Sequence, residues 1–297
     1  MNILMTGGTG LIGKSFIETY PDYHYSILTR DTNKTAKSAN PNISFIHSLS
    51  QLTDLNDFDA VINLCGEPIM AKRWSLKQKD IINMSRWQTT QTLVDLISKS
   101  TSAPKVFLSG SAIGIYADRE NLTIDENITI CDSDFASKLC LQWESIANKA
   151  CQYSRVVNLR TGIVLSTKGG ALTQMLPAYR AFLGGEMAKG RHFMSWIHID
   201  DMVKAMHFLL ISNQANGPYN LTAPHPVTNA VFNDTLAYTL HKKAIFTLPK
   251  WCLNIIFGES ATILLTSQKV IPKKLLEQQF CFSYPVLQQA LQHLLNK

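Results

Sequence analysis

Short apolar runs alternate with amphipathic stretches along the chain up to Arg160, and that alternation predicts stacked strand–helix–strand units around a parallel sheet. The apolar runs Ile3 to Thr6, Ser26 to Thr29, Ile43 to Ile46, Ala60 to Leu64, Val106 to Ser109 and Arg155 to Leu159 read as strands. Leu11 to Thr19, Leu76 to Met84, Trp87 to Ser98 and Phe135 to Ala150 read as helices. Right-handed crossovers then put helices on both faces and a ligand crevice at the carboxyl ends of the strands. Gly7, Arg30, Gly66, Ser111 and Arg160 each follow a predicted strand, so they are expected on one rim. Beyond Arg160 the pattern loosens. Gly169-Gly170, Gly184-Gly185 and Gly190 mark loops, Asn216-Gly217-Pro218 marks a turn, and Asp200 to Ile211 reads as one more helix. From about Pro226 a small, mainly helical lobe is expected, punctuated by Pro249, Pro272 and Pro285. The fold class that follows is α/β, a doubly wound parallel sheet over residues 1–225 with a C-terminal lobe over 226–297.

The first predicted strand runs straight into Gly7-Gly8-Thr9-Gly10-Leu11-Ile12-Gly13 and a helix start. Both Gly8-x-Gly10-x-x-Gly13 and Gly7-x-x-Gly10-x-x-Gly13 are satisfied. One glycine makes the tight turn, one admits a pyrophosphate to the backbone, and the last lets helix pack on strand. The free N–H groups and positive dipole end of the helix then face the phosphates. Gly7, Thr9, Gly10, Leu11, Ile12 and Gly13 are therefore the predicted dinucleotide turn.

Composition narrows the class without naming the chemistry. The chain has 297 residues, 45% apolar and 17% charged, as in a globular protein with a sizeable core. The net charge of +6 is spread over scattered Lys and Arg, which argues against a nucleic-acid binder and reads as a solvated surface, of which a small phosphate-bearing ligand would use only a few charges. Cys65, Cys131, Cys140, Cys151, Cys252 and Cys281 show neither C-x-x-C nor zinc spacing and read as reduced thiols. Thr6-Gly7-Gly8 interrupts the first apolar run, no basic leader precedes it, and no run approaches the ~18 apolar residues of a membrane span. A cytoplasmic protein without membrane contact is expected.

Candidate chemistry follows the strand ends. Arg30, after the second strand, suits the 2′-phosphate of NADP(H), where an acidic residue would favour NAD. Asp31 becomes the ribose acid if that strand is one residue longer, and is otherwise a turn or cap residue. Leu64 and Gly66 end the fourth strand, where Gly66 either admits a nicotinamide ribose or simply turns the chain. Ser109 and Ser111 end the fifth, where a hydroxyl suits a carbonyl or carbinol, and Tyr116 follows as wall or phenolic acid. Lys138, early in a helix, is a ribose ligand or a surface residue. Asp200 or Asp201 suits the N-cap of the next helix, and His198 is an acid–base candidate or a structural histidine. No metal-ligand spacing and no G-x-S-x-G elbow occur.

Together these strings resemble a known family. The run from Thr6 to Gly13 is similar to the extended and atypical short-chain dehydrogenases/reductases. Asn63 to Ile69, Ser85-Arg86, Ser109 to Tyr116, Arg160 to Leu165 and Ser195 to Asp201 resemble the YfcH-like "epimerase family protein" branch. Gly258-Glu259-Ser260, Gln268 to Pro272 and Phe280 to Pro285 are similar to that branch's C-terminal domain of unknown function, so the likeness spans essentially the whole chain. It implies a Rossmann fold with NADP(H), Gly66 and the Ser109 to Ser111 turn at the nicotinamide, Arg30 at the 2′-phosphate, and a homodimer by superfamily habit. The superfamily's catalytic pair is Tyr-x-x-x-Lys. Lys138 fits the lysine, but Asp134 stands at the tyrosine position with Phe135 beside it. Aspartate, ordinarily near 3.9, is a poor proton donor at neutral pH. The resemblance thus implies an oxidoreductase or epimerase on a small carbonyl or alcohol, with Ser111 orienting the substrate, Tyr116 as acid and Lys138 on the ribose. The alternative is a non-catalytic NADP(H)-binding regulator, since relatives in plastids and cyanobacteria are linked to division.

Overall fold

Strand β1 (Asn2–Thr6) buries every residue from Ile3 to Thr6. Alternate side chains of a strand face opposite sides, and here both sides are apolar. Ile3 and Met5 enter one core with Ile62, Leu108 and Val157, while Leu4 enters the other with Val61, Phe107 and Val156. The protein is described by a computed structural model covering residues 1–31, 40–129, 134–244 and 246–296, and Cys131 lies outside the described residues. The remaining sheet strands are β2 (His24–Leu28), β3 (Ile43–Ile46), β4 (Ala60–Asn63), β5 (Val106–Ala112), β6 (Arg155–Thr161) and β7 (Gly217–Leu221). Their order is β3-β2-β1-β4-β5-β6-β7, with every neighbouring pair parallel. The order reverses between β1 and β4, and a crevice opens there at the strands' carboxyl ends.

Helices α1 (Leu11–Thr19), α2 (Leu76–Lys99), α3 (Phe135–Asn148), α4 (Ala171–Arg180) and α5 (Ile199–Ile211) flank the sheet. Phe16 and Ile17 of α1 and Met202, Met206 and Leu209 of α5 cover one face; Leu93 and Ile97 of α2 and Ile146 of α3 cover the other. The C-terminal region carries α6 (Asn229–Thr239), α7 (Lys250–Phe257), α8 (Ala261–Leu265), α9 (Lys273–Glu277) and α10 (Leu287–Leu295). No described helix is long and apolar enough to cross a membrane.

Four boundaries differ from the sequence reading. The two helices expected around Ser85-Arg86 are one, α2, capped by Ser75, whose Oγ accepts from Gln78 N. Its sequence is too polar for periodicity to show continuity. β5 runs on to Ala112 and β6 to Thr161, so Ser111 and Arg160 lie in register inside the sheet instead of following strand ends. Asn216-Gly217-Pro218, read as a turn, opens the edge strand β7, where a proline's missing N–H costs little. Finally α5 is capped by His198, whose Nδ1 accepts from Asp200 N at 3.0 Å, and not by either aspartate.

Candidate functional site

The turn between β1 and α1 is closed by Gly10 N donating to Gly7 O at 3.0 Å. Gly7 sits at φ +71°, and a Cβ there would lie 2.6 Å from the Leu64 carbonyl. A Cβ on Gly13 would lie 2.5 Å from Gly7 O and 2.6 Å from Gly8 Cα. Both contacts are with backbone, which cannot step aside. Helix α1 begins at Gly10 without a side-chain cap, so its first N–H groups have no side-chain acceptor. They border a groove of about 320 Å³ walled by Gly7, Gly10, Leu11, Ile12, Gly13 and Leu64, with Ile163, Val164, Gly170 and Ala171 opposite. A bare helix start beside backbone-tight glycines is the arrangement that a dinucleotide diphosphate requires, so these residues fit the group. Thr9 lies within the turn, and Arg30 is exposed just past β2.

Ile12, Leu64, Ile163 and Ala171 also border a second, deeper cavity of about 430 Å³. Ser111 reaches its wall, with Arg86, Cys140, Trp143 and His192. Beneath it runs a buried polar chain: Thr6 Oγ1 donates to Asn63 Oδ1 (2.6 Å), Asn63 Nδ2 to Thr90 Oγ1 (2.8 Å), and Trp143 Nε1 to the same hydroxyl (2.8 Å). These bonds fix the ends of β1 and β4 against α2 and α3.

Ser111 is tied into a second chain. Its Oγ donates to Glu144 Oε1 at 2.7 Å, and Arg160 grips the same carboxylate through Nε and Nη2, both at 2.8 Å. Burial disfavours the Arg160 charge, but Glu144 more than offsets this and holds its pKa above the ordinary value. Arg160 Nη1 donates to the Tyr116 hydroxyl (2.9 Å), which donates to Asn220 Oδ1 (2.7 Å).

That chain corrects the role expected of Tyr116. The side chain is fully buried, lines neither the groove nor the cavity, and has its proton committed to Asn220. Burial pushes its pKa up to about 12. Lys138 is exposed on α3 and borders neither space, although its neighbours Ala136, Leu139 and Cys140 line the cavity. Asp134 caps α3, its Oδ1 accepting from Ser137 N at 2.8 Å. Ser109 is fully covered and also borders neither space. Gly66 is exposed, and the room its side chain would take is filled by the Arg86 guanidinium, 2.7 Å from the Cβ position. Its close approach is thus to an arginine.

Three wall residues were missed as chemistry. Arg86 was visible only inside the Ser85-Arg86 string, and nothing in the sequence around His192 marked it. Cys140 had no signal, and burial pushes its thiol up to about 12, leaving it neutral. His192 carries a buried Nε2 with no hydrogen-bond partner, and burial pulls the ring below its usual pKa. His198, Asp200 and His293 do converge within 4.8 Å, which spacing could not reveal across so long a separation. Both His198 nitrogens serve the fold, Nδ1 in the α5 cap and Nε2 at 3.1 Å from His293 Nδ1.

Comparison with known proteins places this geometry. Residues 3–222 match the NAD dependent epimerase/dehydratase family, and residues 248–294 match a domain of unknown function, DUF1731. An epimerase family protein of Staphylococcus epidermidis is 39% identical over 298 aligned positions, spanning 99% of this chain and 98% of its own. The crystal structure of human epimerase family protein SDR39U1 with NADPH superposes with a TM-score of 0.92 at 31% identity, over 100% of both chains. UDP-glucuronic acid 4-epimerase from Bacillus cereus shares the fold, with a TM-score of 0.79 at 17% identity over 99% of this chain and 98% of its own. The seven-stranded parallel sheet, its glycine turn and the matched residues make this chain a member of the NAD dependent epimerase/dehydratase family, of the atypical short-chain dehydrogenase/reductase type.

Proposed function

We propose that the chain binds NADP(H) along the rim of the sheet and oxidises or reduces a small carbinol or carbonyl compound in the adjoining cavity. The observation that carries this reading is continuity: four residues of the glycine-turn groove also wall the cavity where Ser111 stands. The α1 amides and Gly7 to Gly13 would hold the diphosphate, Arg30 the 2′-phosphate, and Leu64 the passage between the two spaces. When bound, the coenzyme supplies a hydride acceptor or donor at its nicotinamide ring. The Ser111 hydroxyl donates its hydrogen bond to Glu144, so its oxygen is left to accept one from a carbinol O–H. His192, neutral because it is buried, takes the proton-transfer role on the wall that Tyr116 cannot fill. Epimerisation through transient oxidation would use the same parts. The NADPH seen with the human relative supports the phosphate-bearing coenzyme.

Calorimetry of NADPH and NADH on wild type and Arg30→Ala tests this. NADPH should bind roughly tenfold tighter than NADH, and the substitution should remove that advantage. Equal affinities untouched by the substitution overturn the Arg30 assignment, and no binding of either coenzyme overturns the reading. A second reading, coenzyme binding without turnover, is favoured by one observation: the tyrosine position holds Asp134, a helix cap, and Tyr116 is sealed in the core. Tight NADPH binding with no absorbance change across a panel of carbonyl compounds would select it.

A further inference from the structure

Arg86 leaves the middle of α2 and reaches the cavity wall that Ser111, Cys140 and Trp143 share. Nη1 donates to Ile82 O at 3.0 Å and Nη2 to Glu67 O at 3.1 Å. A guanidinium carries five N–H donors, so three remain after these two neutral carbonyls. No carboxylate among the described residues is in ion-pair contact with it. Cζ lies 5.3 Å from the Trp143 ring centroid, and the face of the group rests where a Gly66 side chain would be. Burial lowers its pKa, yet an arginine keeps its charge at physiological pH. The group is half-buried, and the Glu67 carboxylate favours its charge only weakly, less than burial opposes it; a partly covered cation with no ion-pair partner is costly. Arg160, the other arginine of this region, has that cost offset by the bidentate Glu144.

The rest of the wall narrows what could serve as the counter-charge. Ile113, Met70, Met175, Met187 and Leu264 make it largely apolar, and the carboxylate on it, Asp134, is engaged as the α3 cap. A phosphate dianion or a nucleoside diphosphate asks for several cationic and polar partners, whereas one planar fork matches one carboxylate. The cavity of about 430 Å³ is also at the small end for ligand sites, and under the proposed function the nicotinamide end of the coenzyme takes part of it.

We propose that Arg86 anchors a substrate carboxylate, so that the cavity takes a compact oxo or hydroxy acid with an apolar body and not a nucleotide-linked sugar. This deepens the proposed function and rests on it for the reacting group, although the anchor itself can be tested without coenzyme. Hexanoate and hexanamide, alike in shape and different in charge, are titrated by calorimetry into wild type, Arg86→Gln and Arg86→Lys. Wild type should prefer the acid by roughly tenfold or more, Arg86→Gln should lose the preference, and Arg86→Lys should keep part of it. Arg86 also ties α2 to the Glu67 loop, so near-UV circular dichroism checks the fold of each variant. Gly66→Ala provides a second route, because its methyl group displaces the guanidinium without deleting it, and it too should erode the preference. Equal binding of acid and amide to wild type, binding of neither, or a preference that survives both Arg86→Gln and Gly66→Ala overturns the anchor. NADPH is titrated separately. Acid preference without NADPH binding sinks the coenzyme reading and leaves the anchor standing, and the converse result does the opposite.

Discussion

Replacing Glu144 by Gln isolates the buried ion pair without changing side-chain volume. The carboxylate accepts three hydrogen bonds, two from Arg160 and one from Ser111, at 2.7 to 2.8 Å. An amide offers one acceptor oxygen and turns an N–H₂ donor toward another donor. It also removes the counter-charge of an arginine that is only 3% exposed. Breaking one partner of such a pair costs about 3–5 kcal/mol, a large share of a domain's ~5–15 kcal/mol. For a chain of this size ~1 kcal/mol moves Tm by roughly 2 °C, so Tm should fall by about 6–10 °C in differential scanning calorimetry. Removing both charges, with Glu144→Leu and Arg160→Met together, should recover most of the loss, because the uncompensated charge is then gone. A Tm drop below about 2 °C for Glu144→Gln, or a double variant less stable than the single one, would refute the reasoning.

Two further outcomes follow from the same chemistry. Tyr116→Phe deletes a donor to Asn220 and an acceptor for Arg160, so it should cost ~1–3 kcal/mol in urea unfolding while leaving any NADP(H)-dependent turnover within severalfold of wild type. Abolished turnover in a variant of unchanged stability would restore the tyrosine to the reaction. Acidification should also destabilise the fold. Burial lowers the pKa of His192 and of His207, which bonds the Tyr23 hydroxyl at 2.8 Å. Their folded values lie below the ordinary ~6.5, so the unfolded chain takes up protons first and stability is lost as pH falls through that value, by at most about 1.4 kcal/mol per pH unit for each ring. Asp201 and Glu126, raised by burial, act in the opposite sense, losing stability as pH rises from the carboxylate range. Urea midpoints measured at about pH 7.5 and 5.5 should therefore converge when both histidines are replaced by Gln, and an unchanged gap would refute the assignment.

The parts of the site that the sequence makes legible are those built from neighbours in the chain. The glycine turn is local: strand, tight turn and helix start occupy consecutive residues, and Gly7, Gly10 and Gly13 answer to backbone within the same loop or the adjacent strand end. What stayed hidden depends on partners far apart in sequence. Ser111 looks like a free hydroxyl until Glu144 on α3 accepts its hydrogen bond, and Tyr116 looks available until Asn220 on the edge strand does the same. Gly66 was legible as a place needing room, but the occupant of that room is an arginine in the middle of a helix whose polar sequence concealed its continuity. β7 was lost because Gly217-Pro218 carries the strongest local turn signal and an edge strand tolerates it.

The string from Ser195 to Asp201 has a physical reading that its polar residues first obscured. Ser195 Oγ donates to Gln268 O at 2.7 Å and accepts from Val270 N at 2.9 Å. His198 Nε2 meets His293 of α10, and the two Asp201 oxygens accept from Ser283 N and Tyr284 N, each at 2.8 Å. One short segment therefore fastens the C-terminal region at three separate points. That region is part of the cavity: Ile263, Leu264, Thr266 and Gln268 wall it, and Gln268 Nε2 donates to Ile113 O and Ala117 O beside Ser111. His198, the acid–base candidate of the string, is spent on this attachment and on the α5 cap. The sheet supplies the glycine-turn groove, and the fastened C-terminal region adds Ile263 and Leu264 to the apolar wall of the adjoining cavity. Under the proposed function, selectivity therefore draws on residues 263 to 268 as well as on the strand ends, with Ser195 and Asp201 keeping that wall in place.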